Sequence, residues 1–409
     1  MAVAGSALPF SRDEYERRWE GVRAACAERD LAGAVVMSRG GATADAYADV
    51  LYLSNHYNVF PLLPDHPPHW SGHSHSAIVI GREGEPTLVD GFGEVRPDLE
   101  AVEDVRVSPD LPAGIVAVMG EKGMAGERIG LAGGSAVLAD PWRRLAELSA
   151  PSELVPFDDA VEALRVRKSP AELERLRASA EAGQEVMAQI LRAAARGGCT
   201  EADAVADGYR AAARAGIAMY DAAVASGPHS ARYTHGRLPS WSRRPLEPGD
   251  LFHVDLYGSL DGYLFDFSRT TVVGGPPSPA QRDVVEGAAA AIDAGLAALA
   301  PGVSGAELFG VVRGELVARG LADQPGDGSG DGFASYACHG HGLGLAWEWP
   351  WITPWETRTV PEATVMAVEC MAGTAEVGQV KLEQNAILGV DGAPAPLLEL
   401  PPFPTLETL

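Results

Sequence analysis

The spacing of apolar positions divides the chain into segments of helical and strand-like pattern. Ser11-Arg12-Asp13-Glu14 has the form of a capping box and opens an amphipathic helix that runs to about Arg29. LAGAVVMS, which follows, has the composition of a buried strand. Short strands at SAIVIG and PTLVDGF and a helix near DPWRRLAELS complete an α/β block to about residue 160. Within that block lies HYNVFPLLPDHPPHWSGHSH, a Pro- and His-rich loop from His56 to His75, long enough to suggest a functional or mobile segment.

A second block begins in RVRKSPAELERLRASAEAGQ, where Ser169 can cap a helix that carries Pro170 at its first position and Glu172 at its third. The expected organisation is therefore an N-terminal domain over 1–164 and a second domain over 165–409, in the α/β (α+β) class. After a helix near TEADAVADGYRAAARAG come the turn LEPGD, a hairpin, helices over 279–300 and 304–319, and strands through 401. No internal repeat stands out, and DQPGDGSGDG is the low-complexity stretch.

A chain of 409 residues accommodates two such cores, and 46% hydrophobic with 22% charged residues is ordinary globular composition. The net charge of −24 argues against nucleic-acid or anionic-membrane partners, which need a basic surface. Only three lysines occur, Lys122, Lys168 and Lys381, so a lysine in an unusual setting is informative. Cys26, Cys199, Cys338 and Cys370 show no metal-finger or CxxC spacing, which points to free thiols and a cytoplasmic location. The first residues turn charged too early for a secretory leader, and no apolar run of about 18 residues follows.

The hairpin HVDLYGSLDGYLFDFSRTT carries the first chemistry. A two-residue turn at Asp261-Gly262 would pair Leu260 with Tyr263 and Tyr257 with Asp266, and alternation then places Asp255 and Asp266 on one face. Buried unpaired carboxylates are costly, so this face requires a divalent cation or an arginine such as Arg269. His341, in YACHGHGLGLAWEWP, supplies an imidazole, and Glu369 and Glu383 stand in strand-like apolar runs. Oxygen ligands with an imidazole suit Mn, Fe(II), Co or Zn.

These motifs, with KSPAE, LEPGD and DFSRT, resemble the creatinase, aminopeptidase P and methionine aminopeptidase superfamily along nearly the whole chain. The resemblance implies a creatinase-like N-terminal domain followed by a pita-bread catalytic domain. It implies two divalent ions, Mn foremost, held by Asp255, Asp266, His341, Glu369 and Glu383. Asp266 and Glu383 would be shared by both ions, with Asp255 completing one site and His341 with Glu369 the other. The implied activity is amide hydrolysis in a short peptide, Xaa-Pro by default, through a hydroxide bridging the metals. Glu369 would be general base and His235 would contact substrate. A cytoplasmic homodimer is implied too, its His-rich loop capping this or a neighbouring subunit's site.

Three departures open alternatives. Glu348 stands where the peptidases carry a second histidine, and a carboxylate there would repel a developing oxyanion. Lys381 replaces an arginine two residues before the last ligand. His253 and His339 each precede a ligand by two residues, His253 sharing the face of Asp255 and His339 read by default as packed. Trp347 and Trp349 are expected either to pack in the core or to form with Glu348 a box for a cationic substrate group. The expected substrate-facing set is His235, His253, Trp347, Trp349 and Lys381, with Glu348 assisting catalysis. On this ground a lyase or other specialised small-molecule enzyme, akin to dimethylsulfoniopropionate lyases, stands as the alternative. A metal-free creatinase-like amidinohydrolase or a non-catalytic binding relative is a third, which five intact ligands disfavour.

Overall fold

The computed structural model describes residues 8–59, 74–93, 95–236, 238–322, 338–374, 376–389 and 393–409. The chain divides into two compact units, Met1–Arg165 and Val166–Leu409. Residues 60–73 of the His-rich loop and the stretch DQPGDGSGDG lie outside the described residues.

The first unit is a six-stranded sheet with helices. Strands β1 (Gly33–Arg39), β2 (His75–Gly81), β3 (Thr87–Asp90), β4 (Asp104–Val107), β5 (Arg128–Ala132) and β6 (Glu153–Pro156) lie in the order β4-β3-β2-β1-β5-β6. Central β1 is antiparallel to β2 and parallel to β5, and its near-continuous apolar run is what a strand with both faces covered requires. The helices are α1 (Arg12–Glu28), α2 (Ala48–Ser54), α3 (Leu111–Glu121), α4 (Ala139–Ser149) and α5 (Asp158–Val166). The capping box expected at Ser11 does not form. Glu14 turns its carboxylate to Arg17 (2.6 Å) and Arg18 (3.2 Å), a stronger electrostatic partner than the backbone N–H it was expected to reach.

One buried ionic cluster stands out in this unit. His56 Nδ1 lies 2.9 Å from Glu100 Oε1, and its Nε2 lies 3.5 Å from Asp90 Oδ1. Asp90 also accepts from Asn58 Nδ2 (2.7 Å) and from the backbone N–H groups of Phe92 (2.9 Å) and Gly93 (2.6 Å). Burial would lower the basicity of His56, but Asp90 and Glu100 outweigh it and push its pKa up to about 9.

The second unit repeats one plan twice. α6 (Pro170–Arg196) and α7 (Glu201–Ala215) precede the antiparallel sheet β7 (Ala218–Ser226), β8 (Leu251–Leu260) and β9 (Tyr263–Val272). α8 (Pro279–Ala298) and α9 (Gly305–Ala318) precede β10 (Cys338–Leu343), β11 (Trp347–Glu348), β12 (Thr364–Thr374), β13 (Gly378–Leu388) and β14 (Pro394–Pro396), in the order β11-β10-β12-β13-β14. The last strand thus ends before residue 401. Capping boxes at Ser169, Thr200, Ser278 and Ser304 open the four helices. The repeat escaped sequence reading because it resides in packing rather than in residue identity.

Alternation along the strands separates core from site. Val254, Leu256, Phe265 and Phe267 join Val186, Ile190 and Leu191 in one apolar cluster. Val368, Cys370, Val380 and Leu382 join Val284, Ala288 and Ile292 in the other. Asp255, Asp266, Glu369, Lys381 and Glu383, at the intervening positions, therefore project from the opposite faces. Thr270 links the two sheets: its Oγ1 donates to the Lys381 carbonyl and accepts from the Lys381 N–H, each at 3.0 Å.

Candidate metal centre

The β8–β9 hairpin has the expected register, with Tyr257 opposite Asp266 and Leu260 opposite Tyr263. Its turn uses positive φ at Asp261 (51°) and Gly262 (84°), the conformation that an Asp-Gly pair accommodates. In the β12–β13 pair, Glu369 stands directly opposite Glu383. β10 lies on the other side of β12, and Gly340 permits its close approach because a Cβ there would collide with the Ala367 carbonyl.

Together these strands form two groups of potential ligands, Asp266–His341–Glu383 and Asp255–Glu369–Glu383, each with its ligand atoms within 4.8 Å of one another. Glu383 belongs to both. This partition differs from the one implied by resemblance, since Glu369 groups with Asp255 and Asp266 is not common to the two. His341 Nδ1 donates to the Gly342 carbonyl (3.0 Å), which leaves Nε2 facing Asp266 Oδ2 at 3.5 Å.

The charge balance of the cluster is uneven. Lys381 Nζ pairs with Glu369 and lies 3.1 Å from Asp255 Oδ2, and His339 Nε2 lies 2.6 Å from the other Glu369 oxygen. Burial would raise the Glu369 pKa, but Lys381 and then His339 outweigh it and hold the carboxyl well below its usual range. Burial pushes Asp255 up to about 6, Lys381 opposing and Asp266 adding to the rise. Glu383 is raised well above its usual value by burial and then by Asp266, Glu369 and Asp255. Asp255 Oδ1 and Glu383 Oε1 are buried without a hydrogen-bond partner. Unpartnered carboxylate oxygens beside an imidazole nitrogen are a donor set that fits divalent cations. Arg269 does not serve as the counter-ion considered for the hairpin. Its guanidinium donates to the carbonyls of Ser268 (2.9 Å), Glu383 (2.5 Å), Leu400 (3.0 Å) and Pro401 (3.0 Å).

Residues 174–388 match metallopeptidase family M24. The chain belongs to metallopeptidase family M24. This M24 protein is 32% identical over 184 residues to the uncharacterized peptidase YqhT of Bacillus subtilis, a match covering 44% of this chain and 50% of YqhT. It is 29% identical over 248 residues to the Xaa-Pro dipeptidase of Pyrococcus furiosus, covering 60% of this chain and 67% of that protein. Among solved structures, dipeptidase PepE from Mycobacterium ulcerans superposes with a TM-score of 0.74 at 25% identity, covering 97% of this chain and 98% of PepE. The X-Pro aminopeptidase of Thermotoga maritima also gives 0.74, at 22% identity, covering 95% and 99%, and shows the fold alone. The two-domain architecture with a pita-bread second domain, and the superfamily resemblance, hold.

Other expected site residues of this M24 chain have partners of their own. Glu348 is buried with its Oε2 2.5 Å from Lys168 Nζ, and their side chains are 2% and 1% exposed. The cation it faces is therefore its own chain's lysine, and no box for a substrate cation forms around it. Trp347 Nε1 donates to Asp266 Oδ2 at 2.7 Å, while half-buried Trp349 has Arg358 5.5 Å from its ring centre. His253 is fully buried with Nε2 3.0 Å from the Arg232 carbonyl, and burial lowers its pKa to about 4. His235, half-buried, places Nε2 2.8 Å from Glu201 Oε2. His339, read as packed, reaches a candidate ligand instead.

Three residues escaped the sequence reading. Lys168 was signalled by the rarity of lysine, but nothing pointed to Glu348 as its partner. Glu201 was hidden in TEAD, where it reads as one more acidic residue of a helix start. Tyr233 carries no signal, yet its hydroxyl bonds to Asp255 and its ring centre lies 5.4 Å from Lys381 Nζ.

Proposed function

We propose that this chain is a metal-dependent hydrolase of short peptides, with Xaa-Pro dipeptides as the substrate class, working through two divalent ions of the Mn, Fe, Co or Zn type. The carrying observation is the pair of ligand groups sharing Glu383, with buried carboxylate oxygens that have no partner. Family M24 membership and likeness to a protein named Xaa-Pro dipeptidase support the reaction class. Ions bound there would polarise a scissile carbonyl and acidify a water.

The chain's own residues set the rest. Lys381 and His339 keep Glu369 ionised and so able to accept a proton. His235 stands on the segment that also brings Tyr233 to Asp255, and is the residue proposed to meet the leaving group. Lys168 removes the objection raised by Glu348, because a buried ion pair presents little net charge to a developing oxyanion. The lyase alternative drew on the missing second histidine and the Trp cluster. Glu348 is paired with Lys168 and Trp347 with Asp266, which weakens that reading, while the two ligand groups speak against the metal-free one. Four free thiols favour the cytoplasm, and a homodimer belongs to the same reading. Among the described residues no helix is long and apolar enough to cross a membrane.

The test is an assay of Mn-loaded protein on a panel of Xaa-Pro dipeptides, with and without chelator. Chelator-sensitive cleavage is expected. Absence of cleavage across the panel by protein shown to carry its ions would overturn the substrate assignment.

A further inference from the structure

Glu201 is a fully buried carboxylate with no role in the proposed reaction. It is the first residue of α7, but the reciprocal bonds of that helix start are made by Thr200 and Asp203, so capping does not account for its burial. Its Oε1 accepts from Ser226 Oγ (2.6 Å) at the end of β7. Its Oε2 accepts from the Ser242 N–H (2.9 Å) and Ser242 Oγ (2.6 Å), and faces His235 Nε2 at 2.8 Å. The two serines therefore fix both carboxylate oxygens from separate stretches of chain, and His235 meets an acceptor that cannot swing away.

This placement matters because of where the segment leads. Tyr233, two residues before His235, bonds to Asp255 of the metal centre, and two residues span at most about 7 Å. The short run from Tyr233 to His235 is thus tied at one end to a candidate ligand and at the other to Glu201. An imidazole nitrogen facing an ionised carboxylate carries the proton, which decides the tautomer of the ring. Nδ1 is then the nitrogen available to a substrate, as acceptor when the ring is neutral and as donor when it is charged.

We propose that Glu201 is a positioning residue for His235, fixing Nε2 as the proton-bearing nitrogen so that Nδ1 is presented to the substrate. The inference rests on the substrate role proposed for His235, and its test has an arm that does not depend on that role. Imidazole ¹⁵N NMR of the wild-type protein, with His235→Asn to assign the signal, should show His235 protonated at Nε2 in its neutral form. A neutral ring protonated at Nδ1 would overturn the proposal whatever the activity. In the peptidase arm, Glu201→Gln should lower kcat about 10- to 100-fold with KM and ion content within twofold, the range of an orienting carboxylate. The double variant Glu201→Gln, His235→Asn should be no slower than His235→Asn alone. A further loss in the double variant equal to that of Glu201→Gln in the wild-type background would show that Glu201 acts independently of His235 and sink the idea. If no Xaa-Pro dipeptide is cleaved, the proposed reaction fails, while the NMR arm still decides the Glu201 assignment.

Discussion

Two of the buried clusters of acidic and basic side chains, one in each unit, reach opposite balances. In the first, His56 sits against Asp90 and Glu100, and three further N–H donors serve Asp90, whose pKa is lowered despite burial. In the second, Lys381 and His339 serve Glu369, and Lys381 also reaches Asp255. Asp255 is nonetheless raised to about 6 and Glu383 far above its usual range, with one buried oxygen of each unpartnered. Burial alone therefore does not mark a functional site. An unpartnered oxygen is not the mark either, since Glu100 Oε2 in the first cluster also has no hydrogen-bond partner. The mark is carboxylates that neighbouring carboxylates and burial hold above their usual range, which separates an ionic brace from a place prepared for cations.

The largest effect that tests this contrast is expected at Glu383, which both ligand groups need. Glu383→Gln should bring ion content to background and lower turnover by at least about 10³-fold, the upper scale for losing a single electrostatic stabiliser. Asp90→Asn should leave ion content unchanged. Metal analysis of both proteins after reloading checks the pair, and retention of ions by Glu383→Gln would break the comparison.

Next comes Lys381. Lys381→Met removes the ammonium facing Asp255 and Glu369 and should destabilise chelator-treated protein by about 3–5 kcal/mol, the scale for stranding a buried ion-pair partner. Added Mn should recover more stability in this variant than in wild type, because bound cations take over the neutralisation. Urea denaturation with and without metal measures both. Equal stability of variant and wild type in chelator would mean that the lysine contributes no compensation.

The smallest effect belongs to the first unit and is read in pH. The folded pKa of His56 is raised to about 9 from an unfolded value of 6.5, so its contribution is complete below about pH 6.5 and is lost as pH rises through 9. The loss is on the order of 3 kcal/mol, from a shift of about 2.5 pH units. The depressed Asp90 acts only at acid pH and does not enter this window. Subtracting the stability profile of His56→Gln from that of wild type should isolate the decline between pH 6.5 and 9. Parallel profiles across that range would show that His56 is not held charged.

What could be read from sequence followed the physical range of each signal. The hairpin register was legible because an Asp-Gly turn and a two-residue period are local rules, and with them came Asp255 and Asp266. Glu369 and Glu383 were conspicuous as charges in apolar strands. The partners of Glu348 and His235 were not legible, since Lys168 and Glu201 lie 180 and 34 residues away and nothing local links them. At Ser11 the opposite error arose, a local rule satisfied in letters while nearby arginines claimed the glutamate.

The exposed tip of the β8–β9 hairpin sets the phase of the metal centre. Side chains alternate across the strands, so adding or removing one residue at Asp261-Gly262 would shift the pairing and send Asp266 to the side now filled by Phe265 and Phe267. Surface turns ordinarily absorb changes in length with little consequence. Here the identity of the tip residues has latitude among those that accept positive φ, while their number has none. The same exposed turn is thus permissive to substitution and intolerant of insertion or deletion, and a lineage carrying this fold would show drift in spelling at the tip without drift in length.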